Sequence, residues 1–160
     1  MKSTVNFYSL EKNQDLHLSI CSLVRELYQL SGQIIICDSH YNLEKIDKLL
    51  WTFEQNSFLP HKIYEPKVTL DTPILLLTEK YLNNLLIFKE YDSIINNLDE
   101  PIVQAENCFK VHEFVESSEE KKIISRKKYT IYKNNNFDLN HKKYNGCLLY
   151  TSPSPRDWLQ

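Results

Sequence analysis

Apolar residues recur along the first fifty positions in two alternating rhythms. Val5–Leu10 is a short extended run that predicts a first strand. Over Gln14–Leu30, the positions Leu16, Ile20, Leu23, Leu27 and Leu30 fall three or four apart, the one-sided stripe of an amphipathic helix. Ser31-Gly32 closes that helix, and Gly32 suits a left-handed position just beyond its end. Ile34-Ile35-Ile36-Cys37 follows as a continuous, mostly β-branched run, the pattern of a strand buried on both faces. Tyr41–Trp51 is helical again, with Leu43, Ile46 and Leu50 on one side. Strand, helix, strand, helix at this spacing predicts a parallel α/β sheet.

The middle of the chain is less regular. Residues 52–73 hold Pro60, Pro66 and Pro73 and read as loops with short extended pieces. Ile74–Leu77 and Leu85–Phe88 read as strands, and Ile94–Leu98 as a short helix before Pro101. Phe109–Val115 alternates, with Phe109, Val111 and Val115 facing one way and Phe114 off the pattern, which predicts a strand. Ser117-Ser118-Glu119-Glu120 supplies capping hydroxyls and first-turn acids for a last helix from Ser118 to Lys133.

Composition narrows the class. A chain of 160 residues with 42% hydrophobic and 25% charged residues has the make-up of one globular domain. It has no apolar stretch of the ~20 residues that span a bilayer and no apolar core near its start, so a soluble, cytoplasmic protein is expected. Cys21, Cys37, Cys108 and Cys147 form no C-x-x-C pair, and Cys37 with His40 makes only half of a metal-site spacing; ordinary structural roles in a reducing compartment follow. No cofactor is expected. Glycine occurs only at Gly32 and Gly146, and the turn after the first strand, Ser9-Leu10-Glu11-Lys12-Asn13, has none. Dinucleotide and P-loop sites need glycines at that turn, so this is a Rossmann-like pattern with no evident place for a nucleotide.

Catalytic patterns are equally thin. There is no G-x-S-x-G elbow, the adjacent acids Glu119-Glu120 and Asp99-Glu100 point different ways on a helix, and His61 is a lone loop histidine. Charge is more informative. The net −2 hides −9 over residues 1–120 and +7 over residues 121–145. A basic patch on an otherwise acidic chain fits an acidic partner better than a broad nucleic-acid surface. Lysine outnumbers arginine sixteen to three, a compositional bias that scatters lysines, but Arg126 in the middle of the patch stands outside that discount.

At 100° per residue, Lys122, Arg126, Tyr129 and Lys133 fall on one side of the last helix, with Ile124 and Ile131 opposite. If the isoleucines pack on the sheet, the stripe faces solvent. It then reads either as a solvated helix face or as a site for an acidic peptide with an apolar end. In the second case arginine takes a carboxylate through paired bonds, lysines attract it and tyrosine forms an apolar wall. Leu49-Leu50-Trp51 followed by Ser57-Phe58-Leu59-Pro60-His61 is a second cluster, read either as core or as partly exposed aromatics that anchor a protein.

Together these segments resemble the chi subunit of bacterial DNA polymerase III. The matching pieces are Val5-Asn6-Phe7-Tyr8, the Trp51 to Phe58-Leu59-Pro60-His61 spacing, and Arg126-x-x-Tyr129-x-x-Tyr132-Lys133 leading to Phe137-x-Leu139, over about residues 4–140. The resemblance implies a three-layer α/β/α Rossmann-like domain without catalysis or nucleotide binding. It implies two partners: the psi subunit, which joins chi to the clamp loader, and the acidic C-terminal tail of single-stranded DNA-binding protein, SSB. Lys122, Arg126 and Tyr129, with Val115 beside them and Lys133 a turn on, match the SSB-tail site, and Trp51 and Phe58 match the aromatics that hold psi. Where the family often has a further basic residue this chain has Thr130, so tail affinity is expected to be lower unless Lys127, Lys128 or Lys133 compensates. Asn134-Asn135-Asn136 stands where a glycine is common, and asparagine also tolerates the left-handed conformation.

Residues 146–160, with CLLYTSPSPRD at 147–157, fit no family pattern. They have two prolines, two serines and no periodicity, and read as an unstructured tail derived from sequencing-adapter sequence, set apart from a chi-like domain over 1–145. The reading is a non-enzymatic adaptor in DNA replication, meeting single-stranded DNA only through SSB. Two alternatives from other classes stay open: a small α/β nucleotide-binding protein or enzyme, and a direct single-stranded nucleic-acid binder.

Overall fold

Ile34–Cys37 and Ile74–Leu77 are wholly buried, all eight residues at 0% exposure, and the fold is layered around them. The structure is a computed structural model that describes residues 3–30, 32–53, 58–103 and 110–145. The strands are β1 (Thr4–Ser9), β2 (Ile34–Cys37), β3 (His61–Ile63), β4 (Ile74–Leu77), β5 (Ser93–Asn96), β6 (Lys110–Val115) and β7 (Asp138–Lys143). They form one sheet in the order β3-β4-β2-β5-β6-β1-β7, and every pairing is parallel. Parallel neighbours need crossovers, and these supply the helices: α1 (Leu16–Gln29), α2 (His40–Thr52), α3 (Leu85–Phe88) and α4 (Glu119–Asn134).

Side-chain alternation assigns the helices to two layers. Tyr8, Ile34, Ile36, Ile74, Leu76 and Ile95 point to the face covered by α1 and α2, against Ile20, Leu23, Val24, Leu43, Ile46 and Leu50. On the other face Ile35, Cys37, Leu75, Leu77 and Ile94 meet Ile87 and Phe88 of α3. On that same side Val5, Phe7, Val111 and Val115 lie under Tyr132 of α4. The expected three-layer α/β/α arrangement is therefore present. Short polar side chains start the long helices: Asp15 accepts from the Leu18 N–H at 2.9 Å, and Ser39 and Ser118 accept from Asn42 and Lys121 at 3.3 Å.

Three expectations need correction, and one strand was not foreseen. Leu85–Phe88 is one helical turn, because two exposed leucines precede two buried residues and no alternation exists to feed a sheet. Ser93–Asn96 is a strand, filling the slot between β2 and β6 where its β-branched pair Ile94-Ile95 is enclosed; so short a segment gains little from helix formation. β7, unread in the sequence, is too polar to announce itself and lies at the sheet edge beside β1. Gly32 is not left-handed; it is required because a Cβ there would lie 2.8 Å from the Leu27 carbonyl oxygen. Asn136 does take the left-handed conformation, with φ 64°, where the chain turns from α4 into β7. Ser31, Ser57, Cys108, Phe109, Cys147 and the tail 146–160 lie outside the described residues.

Candidate functional site

α4 is the helix that carries the basic stripe, and its seat on the sheet is polar. Ser125, Lys128 and Tyr132 face inward, while Ile131 is exposed and Ile124 only partly covered, so the isoleucines are not the packing face. The reason lies on β6. Glu113 is 1% exposed and points at α4; its carboxylate accepts from Lys128 Nζ at 2.8 Å, the Tyr132 hydroxyl at 2.6 Å and Asn96 Nδ2 at 2.8 Å. Lys128 also donates to the Leu98 carbonyl, and the Tyr132 hydroxyl accepts from the Ile102 N–H at 3.0 Å. Burial and the neighbouring carboxylate push the Tyr132 hydroxyl well above its usual range, so it stays a donor. A buried charge held by three donors can replace an apolar contact, which hydrophobic periodicity cannot reveal.

This seating turns the stripe toward the β1–β7 edge. Tyr129 is half-buried, its ring 5.8 Å from that of Phe7 on β1. Lys122 and Arg126 are partly exposed and Lys133 is exposed, and at helical spacing all four stripe residues share one flank. Val115 is 2% exposed in the cluster with Phe7 and Tyr132 and forms part of the floor. Arg126 Nη1 lies 3.9 Å from Glu119 Oε1, a loose, solvent-facing pair at the start of the helix. Lys128, counted in the sequence as a cation that compensates for Thr130, is instead consumed by Glu113; Lys127 and Lys133 remain exposed.

Two residues that the sequence did not single out join this flank. In the β1–β7 register Phe7 opposes His141 and Ser9 opposes Lys143, so both β7 side chains share the α4 face of the sheet. His141 Nε2 and Ser9 Oγ are 2.5 Å apart. Only the pairing of a polar edge strand places them beside the stripe, and no local pattern signals it.

The aromatic pair lies at the other edge. Trp51 and Phe58 are 55% and 65% exposed, with ring centroids 5.8 Å apart. Trp51 also rests on the His61 ring at 4.6 Å. The sequence left open whether these aromatics were core or surface; both are surface.

At the carboxyl ends of the strands, where α/β folds commonly take ligands, there is an open cleft of about 1330 Å³. Asp15, Asp38, Glu79, Asp99, Glu100 and Glu116 line it. The first turn is closed on itself, the Glu11 N–H donating to Gln14 Oε1 at 2.7 Å, and the α1 N-terminus is taken by Asp15. Six carboxylates, one of them the Asp15 cap, occupy the place where a phosphate would need open N–H groups.

Among known proteins, the family model described as "DNA polymerase III chi subunit, HolC" matches residues 1–140, which include both the stripe and the aromatic pair. The chain belongs to that family. A relative within it, DNA polymerase III subunit chi of Haemophilus influenzae, is 30% identical over 77 residues. The alignment covers 46% of this chain and 54% of the relative, so the chain spans about half the relative's length there. The family is that of a replication accessory subunit, in accord with a mostly parallel α/β domain read from the sequence. No helix among the described residues is long and apolar enough to cross a membrane.

Proposed function

We propose that this protein is a non-catalytic accessory subunit of DNA polymerase III that bridges the psi subunit and the acidic C-terminal tail of SSB. The observation that carries the reading is the α4 stripe. A partly exposed arginine and a half-buried tyrosine flank an apolar floor, on a helix whose rotation is set by a buried ion pair. That combination suits a short peptide with carboxylates and an apolar end. Arg126 takes a carboxylate through two N–H groups, Lys122 and Lys133 supply longer-range attraction, and the half-buried Tyr129, backed by the fully buried Phe7 ring, receives the apolar side chain. Trp51 and Phe58 offer psi two large adjacent rings at the opposite edge of the sheet, the chemistry of an interface anchor.

The test is fluorescence anisotropy of a labelled acidic SSB-tail peptide titrated with the protein and with Arg126→Ala. Saturable binding is expected that weakens as salt rises. The variant should lose about 10- to 150-fold, the worth of one charge-assisted contact of roughly 1.5–3 kcal/mol. No binding by the unaltered protein would overturn the SSB-tail assignment. Tight binding to a single-stranded oligonucleotide without SSB would favour direct nucleic-acid contact instead.

A further inference from the structure

His61 connects the two pieces of chain that carry the exposed aromatics. It opens β3, and its side chain is 0% exposed although Trp51 and Phe58 beside it are open to solvent. Its Nε2 lies 2.9 Å from Asp47 Oδ1 and its Nδ1 2.7 Å from the Leu59 carbonyl oxygen. Asp47 and the Leu59 carbonyl thus meet the two ring nitrogens from different sides and fix the orientation of the imidazole.

The two acceptors belong to different segments. Asp47 and Trp51 are four residues apart on α2 and so share one face of the helix, while Leu59 follows Phe58 in the loop before β3. The His61 ring is thus tied to the helix through Asp47, tied to the loop through Leu59, and packed against Trp51 at 4.6 Å. Leu59 is itself buried, 2% exposed, which fixes the loop on its other side.

We infer that His61, with Asp47, is the positioning pin of the aromatic docking face, holding the Trp51 and Phe58 rings in one arrangement before a partner arrives. This rests on the docking role proposed above for those two rings. Large exposed rings left free must be ordered on binding, and that ordering subtracts from affinity; a ring already seated on a fixed imidazole avoids most of the loss. The partner therefore meets a preset pair.

The test reads ring order and affinity separately. With Trp158→Phe in the full chain, Trp51 is the single indole, and the heteronuclear NOE of its Nε1–H reports its mobility. In the unaltered background it should match the rigid backbone. His61→Phe keeps a ring of similar size but neither bond; the indole NOE should fall and the Kd for purified psi subunit should rise about 5- to 20-fold. Asp47→Ala should follow it. Asp47→Asn keeps a hydrogen-bonding group of the same shape, whose amide can accept from or donate to the ring nitrogen, and should stay within about twofold of the parent by both measures. Asp47 is partly exposed, so its two variants decide the question even if His61→Phe does not fold.

An unchanged NOE and Kd in His61→Phe, or equal damage from Asp47→Asn and Asp47→Ala, would overturn the pin. If Trp51→Ala and Phe58→Ala leave psi binding intact while the NOE still responds to His61→Phe, the docking reading falls and the pin stands.

Discussion

Arg126, proposed above to take a peptide carboxylate, already has a carboxylate of its own helix, Glu119, beside it. Glu119 lies in the first turn of α4, where its charge favours the helix N-terminus, and it also reaches toward the guanidinium that an acidic peptide needs. At 3.9 Å with Glu119 largely exposed, the pair is worth only about 0.2–1 kcal/mol. Glu119→Ala should therefore tighten SSB-tail binding by about 1.5- to 5-fold; weaker binding in the anisotropy titration would show that Glu119 orients the arginine. At the same scale, His112 makes a pH-dependent contribution. Its ring is buried against Tyr8, stacked at 5.7 Å with Nδ1 2.8 Å from the Tyr8 hydroxyl. Burial, with Lys110 and Lys142 adding to it, pushes its pKa down to about 3 from the ordinary 6.5. Between those values the unfolded chain binds the proton and the folded chain does not, so stability rises with pH there. Acidification from about pH 6.5 toward 3 should cost up to about 1.4 kcal/mol per pH unit. Urea unfolding of the parent and of His112→Phe at about pH 7 and about pH 5 checks this, and equal losses in both proteins would reject it.

Elements are where local pattern and packing part company. α4 was legible as a helix, with its boundaries right to within a residue or so, because capping chemistry and one-sided charge are local properties. Its inward face was not legible, because Lys128 and Glu113 are fifteen residues apart and neither looks like core until the other is placed. Removing one member of such a pair leaves an uncompensated buried charge. Lys128→Met should lower the unfolding free energy by about 3–5 kcal/mol, and Lys128→Met with Glu113→Gln should recover much of that loss. Denaturant melts decide; a double variant as unstable as the single one would mean that Tyr132 and Asn96, rather than the ion pair, hold the helix. β5 and α3 were exchanged in type for a related reason. Four-residue segments have too little period to read, and only the neighbours β2 and β6 make Ser93–Asn96 a central strand.

For the whole molecule, the strand order sets the two proposed sites apart. The stripe borders β1 and β7 at one edge, and Trp51 and Phe58 flank β3 at the other. Six strand spacings of about 4.8 Å put roughly 29 Å between those edges. Sites that far apart with no shared side chains should act independently. Arg126→Ala is expected to weaken SSB-tail binding and leave psi binding within about twofold, and Phe58→Ala to do the reverse, by calorimetric titration of each partner. Equal losses in both assays from either substitution would reject the two-site assignment. The separation also makes use of the charge asymmetry. The acidic cleft and the basic stripe lie on different parts of the surface, so under the proposed function an acidic tail would be drawn to one and repelled by the other.

Sequence alone was enough for the α/β class, the parallel sheet and the ends of the long helices. These follow from periodicity and capping, which act over a few residues. It also carried the segments, Trp51 to His61 and Arg126 to Lys133, on which the resemblance to the family was read, and both lie within the residues the family model matches. Tertiary structure alone decided which lysine is a surface cation and which is a buried partner, that a polar edge strand brings His141 and Lys143 to the stripe, and that His61 ties helix to loop. Each of those depends on desolvation by segments far away in the chain, and desolvation is a property of the packed molecule.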